Sequence, residues 1–199
     1  LNIGTINGTH SFSDWVGNTD NNDYYQFSLS SKTHLGLVLN KLNSDADLQL
    51  LKLNSDGTTN LIHSSYNRGT QPEEIGINGL DSGTYLARVY NRGNTNYNLS
   101  LFTPSITPID LNQTISGSLT KLDPQDTGER FGGSFYDDYR LTGVSPGQPI
   151  KLTMSSSKFM PHILLLNPST GEWLGRSRIT NRELDTAELT FTVPTQAYI

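Results

Sequence analysis

Apolar residues recur at every second position in short runs along this chain. Tyr25, Phe27 and Leu29 alternate with Tyr24, Gln26 and Ser28. Leu35, Leu37 and Leu39 follow, then Leu48 and Leu50, Ile75 and Ile77, Tyr85, Ala87 and Val89, and Tyr97, Leu99 and Leu101. Period two is the spacing of side chains on one face of a strand. The runs are separated by NTDNND, NSDAD, NSDGT, NGLDSG and NRGNTN. Asn and Asp bond their own backbone and Gly accepts positive φ, so these clusters are turns. Helical spacing is nearly missing. Many short strands with such punctuation predict an all-β fold of sandwich or barrel type.

The stretch TPSITPID, residues 103–110, breaks the rhythm. Pro104 and Pro108 disfavour central pairing and stiffen a connector. The expected division is a domain over 1–102, a linker over 103–110 and a second domain over 111–199. The second part repeats the first. DYYQFSLS answers to DDYRLTGV, pairing Tyr25 with Tyr139; HLGLVLN answers to PIKLTMS; LQLLKLNSDG answers to HILLLNPSTG, pairing Leu53 with Leu166. Preserved order and near-preserved spacing indicate two copies of one fold. SGTYLARVY then answers to PTQAYI, with Tyr198 in the place of Tyr85. The closing strands of the second copy are missing, so the expectation is that the natural chain continues past Ile199 or that a partner strand fills the gap.

Composition narrows the class. Of 199 residues, 34% are hydrophobic, and 14 basic against 19 acidic residues give a net charge of −5. Nucleic-acid binding leaves a clustered Lys/Arg footprint, and no basic run exists here. Cysteine is absent, which removes disulfides, thiolate zinc sites and cysteine nucleophiles. No apolar stretch approaches the ~18 residues of a spanning helix. Abundant Asn, Ser, Thr and Gly point to an extracellular protein.

The densest oxygen cluster is DNND, Asp20, Asn21, Asn22 and Asp23, with Asn43, Asp45 and Asp47 in a second loop. Calcium takes six to eight hard oxygens of these kinds; the competing reading is that Asp and Asn cap turns. In the second copy Asp137 and Asp138 are adjacent, and strand neighbours point to opposite faces. A glycosidase pair needs one carboxyl of raised pKa, and Asp20 has polar neighbours. The histidines, His10, His34, His63 and His162, form no H-x-x-x-H or H-E-x-x-H, and no G-x-S-x-G elbow occurs. No catalytic residue is assigned. If Tyr85, Ala87 and Val89 face the core, Leu86, Arg88 and Tyr90 face out, as does Tyr24. With Tyr66 in the loop SSYNRGT, these tyrosines offer rigid apolar faces with polar tips for a polymer. Trp15 and Trp173 are read as packing residues.

The first part resembles the bacterial pre-peptidase C-terminal domain. The resemblance rests on D-x-x-D-Y-Y-x-F at Asp20 to Phe27, D-x-D-L-x-L at Asp45 to Leu50, G-T-Y-x-x-x-V at Gly83 to Val89, and Tyr97 with Leu99. The second part looks like a more diverged member. The resemblance implies two jelly-roll-like antiparallel β-sandwiches, non-catalytic, attached to secreted peptidases and other exported proteins. Collagen-binding modules of bacterial collagenases are relatives. Asp20 and Asp23 match positions that hold calcium in those modules, while the N-terminal segment LNIGTINGTH lacks the carboxylates they use. Tyr90 matches a tyrosine that contacts collagen there, Tyr66 lies near another, and Arg92 stands where a further tyrosine is expected.

The sequence therefore reads as an accessory module of an exported or cell-surface bacterial protein that binds a matrix polymer, a cell-surface component or a partner domain. Calcium at Asp20, Asn21, Asp23, Asp45 and Asp47 is the candidate cofactor, and Tyr24, Tyr66, Tyr90 and Arg92 the candidate face. The alternatives are a spacer that binds nothing and an uncharacterised hydrolase.

Overall fold

The computed structural model describes residues 1–126, 133–167, 172–177 and 185–194, and among these there is no helix. Two compact units emerge, Leu1–Pro108 with Thr114–Arg140, and Ile109–Gln113 with Leu141–Ile199.

The first unit holds nine strands. They are β1 (Asn2–Thr5), β2 (Thr9–Val16), β3 (Asn22–Leu29), β4 (Thr33–Asn40), β5 (Ala46–Leu53), β6 (Thr59–Ser65), β7 (Glu73–Leu80), β8 (Gly83–Asn91) and β9 (Thr95–Phe102). One sheet runs β1-β3-β8-β5-β6 and the other β2-β9-β4-β7. All pairs are antiparallel except β1 with β3. The inner faces carry the alternating set anticipated from sequence. Tyr25, Phe27, Leu29, Leu35, Leu37, Leu39, Leu48, Leu50, Ile75, Tyr85, Ala87, Val89, Tyr97, Leu99 and Leu101 form one buried core, with Ile77 packed partly buried against it. This is an all-β sandwich.

Three strands have no such alternation. β1 and β2 carry mostly polar, exposed residues, and β6 is an edge strand whose Leu61 and Ile62 stay exposed. A strand paired on one side and solvated on its outer face needs no strict pattern. Two close approaches demand glycine. A Cβ on Gly17 would meet the Trp15 ring at 2.2 Å, and one on Gly36 the Phe102 ring at 2.1 Å. Trp15 thus packs over backbone, as expected.

Residues 114–140 group with the first unit, rather than lying beyond the 103–110 connector. Side chains of the outer β4–β7 surface hold them. His34 Nε2 donates to the Leu122 carbonyl (2.6 Å), Asn78 Nδ2 to the Gln125 carbonyl (2.6 Å), and Lys121 pairs with Glu74 (2.5 Å). Burial lowers the His34 pKa, which keeps the ring neutral in that contact.

Six further strands are short. β10 (Thr107–Ile109) pairs with β11 (Tyr139–Leu141), β12 (Pro149–Ser155) with β15 (Thr186–Thr192), and β13 (Leu164–Leu166) with β14 (Trp173–Arg176). Ile150, Ala187 and Leu189 are the buried apolar residues here, and the Leu189 side chain lies against Gly175. Trp173 is 55% exposed, so the packing role read from sequence does not hold for it; β14 is a four-residue edge strand with little to cover an indole. Tyr198 lies outside the described residues.

Candidate functional site

Asp20 closes the turn between β2 and β3. Its carbonyl accepts from Gly17 N (2.7 Å) and its amide donates to Gly17 O (3.2 Å). Asn21 continues it, its carbonyl accepting from Asn91 N (3.2 Å). Three residues on, Asp23 shares the parity of Tyr25 and Phe27 and turns inward. Tyr97 donates its hydroxyl proton to Asp23 Oδ2 (2.5 Å), and the Tyr97 oxygen lies 2.7 Å from the Tyr25 hydroxyl, itself 3.4 Å from Asp14 Oδ2. Burial raises the Asp23 pKa, the Tyr97 bond opposes that, and the charges of Asp14 and Asp20 add to it. Burial likewise pushes Tyr25 up to about 12 and raises Tyr97 further. Both phenols stay protonated, so the network is a structural bridge between the sheets.

Asp45 and Asp47 do not join Asp20 and Asp23. The register runs Asn22↔Tyr90↔Asp47, so β8 separates the two groups. Strands lie 4.7–4.9 Å apart, which puts β3 and β5 roughly 10 Å from each other. Asp23 also faces the core while Asp47, between buried Ala46 and Leu48, has the opposite parity. Each carboxylate of the second group has its own partner. Asp45 Oδ1 accepts from Gly69 N (3.0 Å), and Asp47 Oδ2 holds Arg92 Nε (2.7 Å). Among the described residues, no three His, Asp or Glu side chains are arranged to hold a metal ion. A calcium cage requires six or more converging oxygens, and Asp23, Asp45 and Asp47 are each already engaged by a protein donor. Millimolar calcium is accordingly expected to leave the melting temperature unchanged. A rise of several degrees that Asp20→Ala with Asp23→Ala abolishes would show a calcium site, since a ligand specific for the folded state must raise stability.

The outer face of the five-stranded sheet has a different character. One row reads Tyr24, Arg88, Gln49 and Ser64 across β3, β8, β5 and β6. Arg88 is its hub. Nη1 donates to Gln49 Oε1 (2.9 Å), and Nε (2.8 Å) and Nη2 both donate to Asn22 Oδ1. The guanidinium carbon sits 4.6 Å from the Tyr90 ring centroid and 5.8 Å from that of Tyr24, and that of Arg92 lies 5.3 Å from the Tyr90 centroid. Stacking guanidinium on aromatic faces is favourable by about 0.5–1 kcal/mol per exposed pair. Ser64 Oγ donates to the Tyr66 hydroxyl, which ties the exposed Tyr66 to the end of the row. Tyr24, Tyr66, Tyr90 and Arg92 thus share one sheet face. Parity from the sequence put Arg88 outward beside Tyr90, but its contact with Tyr24 follows from the β3–β8 register.

Sequence reasoning also passed over Glu73. It begins β7, is fully buried, and accepts from Asn67 N at Oε2 (3.0 Å), while Oε1 has no hydrogen-bond partner. Burial raises its pKa, and Asp47 and Asp45 add to the shift. Its inward parity with Ile75 and Ile77 was the signal in the sequence, while the half-buried Glu74 has the opposite parity.

Two antiparallel sheets over one core, with a polar aromatic outer face, define the first unit as a β-sandwich module. Residues 21–91, within the first unit, match the family model of the bacterial pre-peptidase C-terminal domain. Among solved structures, the pre-peptidase C-terminal domain of collagenase from Bacillus anthracis is 19% identical, with a TM-score of 0.41 over 49% of this chain and 92% of that one. The Yersinia pseudotuberculosis-derived mitogen is 17% identical, with a TM-score of 0.38 over 49% and 86%. PliG of Aeromonas hydrophila, a periplasmic inhibitor of g-type lysozyme, is 12% identical, with a TM-score of 0.34 over 52% and 99%. No curated protein matches the chain.

Proposed function

We propose that this chain is a non-catalytic accessory module of an exported bacterial protein, and that the outer face of its five-stranded sheet recognises an extended matrix polymer or a partner protein. The observation that supports this is the gathering of Tyr24, Arg88, Tyr90 and Arg92, with Tyr66, on one sheet face. A spacer has no use for such a row. Rings held by neighbouring guanidinium groups give broad contact at little entropic cost, with polar hydroxyl tips for hydrogen bonds to a polymer. Aromatic and arginine side chains are also the commonest energetic anchors of interfaces. Collagen fibrils, peptidoglycan and insoluble polysaccharide form a suitable first panel in a co-sedimentation assay. Binding to one of them is expected, with Tyr24→Ala plus Tyr90→Ala weakening it about 10- to 100-fold. Unaltered binding by that variant would remove this face from the function, and binding to no polymer or protein would leave the spacer reading.

A further inference from the structure

The charge on the outer face of the five-stranded sheet runs against that of the chain, which carries a net −5. One row across the face is Asn22, Tyr90 and Asp47, and the next is Tyr24, Arg88, Gln49 and Ser64. The two rows beyond, from Gln26 to Leu61 and from Ser28 to Thr59, hold no charged residue. Asp47 is therefore the one carboxylate of these four rows, and it holds Arg92, the residue that follows β8. Arg88 has no such partner. Among the described residues it forms no ion pair, and its acceptors are the neutral amide oxygens of Asn22 and Gln49.

A half-buried guanidinium held by neutral groups keeps its charge uncompensated. It also orients the amides around it. A guanidinium has donors and no acceptor, so both amide oxygens turn toward Arg88 and both amide nitrogens turn away. Asn22 Nδ2 donates to Asn21 Oδ1 (2.7 Å), which leaves it one N–H, and Gln49 Nε2 has no acceptor among the described residues. The middle of the face is thus rich in donors, and its carboxylate is already engaged. A ligand that fits it brings negative charge and acceptor oxygens. The rings set the rest. Tyr24 is 44% and Tyr66 58% exposed, near opposite ends of the Arg88 row. Three strand spacings separate β3 from β6, roughly 14 Å, a span of a few pyranose rings. A peptide gains its main-chain hydrogen bonds at a sheet edge, and a sheet face offers none of those.

We propose that the ligand of this face is an acidic polysaccharide of the polyuronate class, its carboxylates taken by Arg88 and its sugar rings laid on Tyr24 and Tyr66. The inference rests on the sheet-face reading above and adds the charge and the monomer class to it. Complementary charge supplies selectivity and speeds approach as well as adding affinity. Arg88 is then the residue that separates a charged polymer from a neutral one with the same rings, and the tyrosines bind both alike.

Polygalacturonate is the probe, titrated calorimetrically into the full chain, with its methyl ester as the neutral counterpart. Binding of polygalacturonate is expected, about tenfold or more tighter than that of the ester, of polyglutamate or of dextran sulfate. Arg88→Gln should weaken it about tenfold, and Arg88→Lys, which keeps the charge, should recover most of that loss. A loss in Arg88→Lys equal to that in Arg88→Gln would trace the effect to the packing of the row and overturn the inference. So would equal binding of the ester, or binding of polyglutamate or dextran sulfate as tight as that of polygalacturonate. In those cases the sheet-face reading stands if Tyr24→Ala with Tyr90→Ala still weakens binding. Polygalacturonate binding that neither Arg88→Gln nor the tyrosine pair weakens would overturn both, and no binding of polygalacturonate would overturn the inference alone.

Discussion

Tyr97→Ala will cost the first unit about 3–5 kcal/mol, the range for deleting a large buried aromatic. Tyr97 is 1% exposed and is the third residue of β9. Its ring fills the core, and its hydroxyl satisfies Asp23 while lying within hydrogen-bond reach of Tyr25. Tyr97→Phe separates the two contributions. It keeps the ring but leaves the half-buried Asp23 carboxylate short of a donor, at about 1 kcal/mol. Urea midpoints of the first unit's transition measure both. Asp23→Asn with Tyr97→Phe should cost less than the two single losses added together, because residues sharing one network couple. Additive losses would show that the hydroxyl–carboxylate contact contributes nothing of its own.

The second large effect belongs to Glu73. Glu73→Ala removes the acceptor that holds Asn67 N and opens a hole in a fully buried place, at about 2–4 kcal/mol. Its titration has a definite sign. The folded state holds the proton of Glu73 more tightly than the unfolded chain does, because burial raises its pKa above 4.5. Stability linked to this group is therefore greatest below pH 4.5. It falls as pH rises through the folded pKa, since the folded state binds more protons in that window. Asp23 contributes with the same sign from 3.8 upward, so wild type alone does not isolate Glu73. The difference between wild type and Glu73→Gln does. Glu73→Gln should flatten the decline above pH 4.5, and parallel stability–pH curves would show that Glu73 is not the titrating group.

The legible part of this protein was whatever depends on neighbours in sequence. The alternation of Tyr25, Phe27 and Leu29, and of its five companion runs, named the core because adjacent side chains of any strand point to opposite faces. The Asn/Asp/Gly clusters marked turns for an equally local reason. By the same parity Tyr24 and Tyr90 were placed outward, together with Arg88. β1, β2 and β6 were not legible, since edge positions and solvated faces relax the pattern.

Everything that depends on strand order was left to the tertiary structure. DNND and NSDAD look like two halves of one oxygen-rich site when read along the chain. The insertion of β8 between β3 and β5 sets them apart, and pleat parity turns Asp23 inward to Tyr97 while Asp47 goes outward to Arg92. The pairing of β8 with β3 also brings Arg88 against Tyr24, 64 positions away from it. Glu73 shares the inward parity of Ile75, but what surrounds its carboxylate comes from residues distant in sequence. Side-chain direction is a property of one strand and is written in its own residues. Which side chains meet is a property of which strands lie side by side, and that is decided only when the whole sandwich closes.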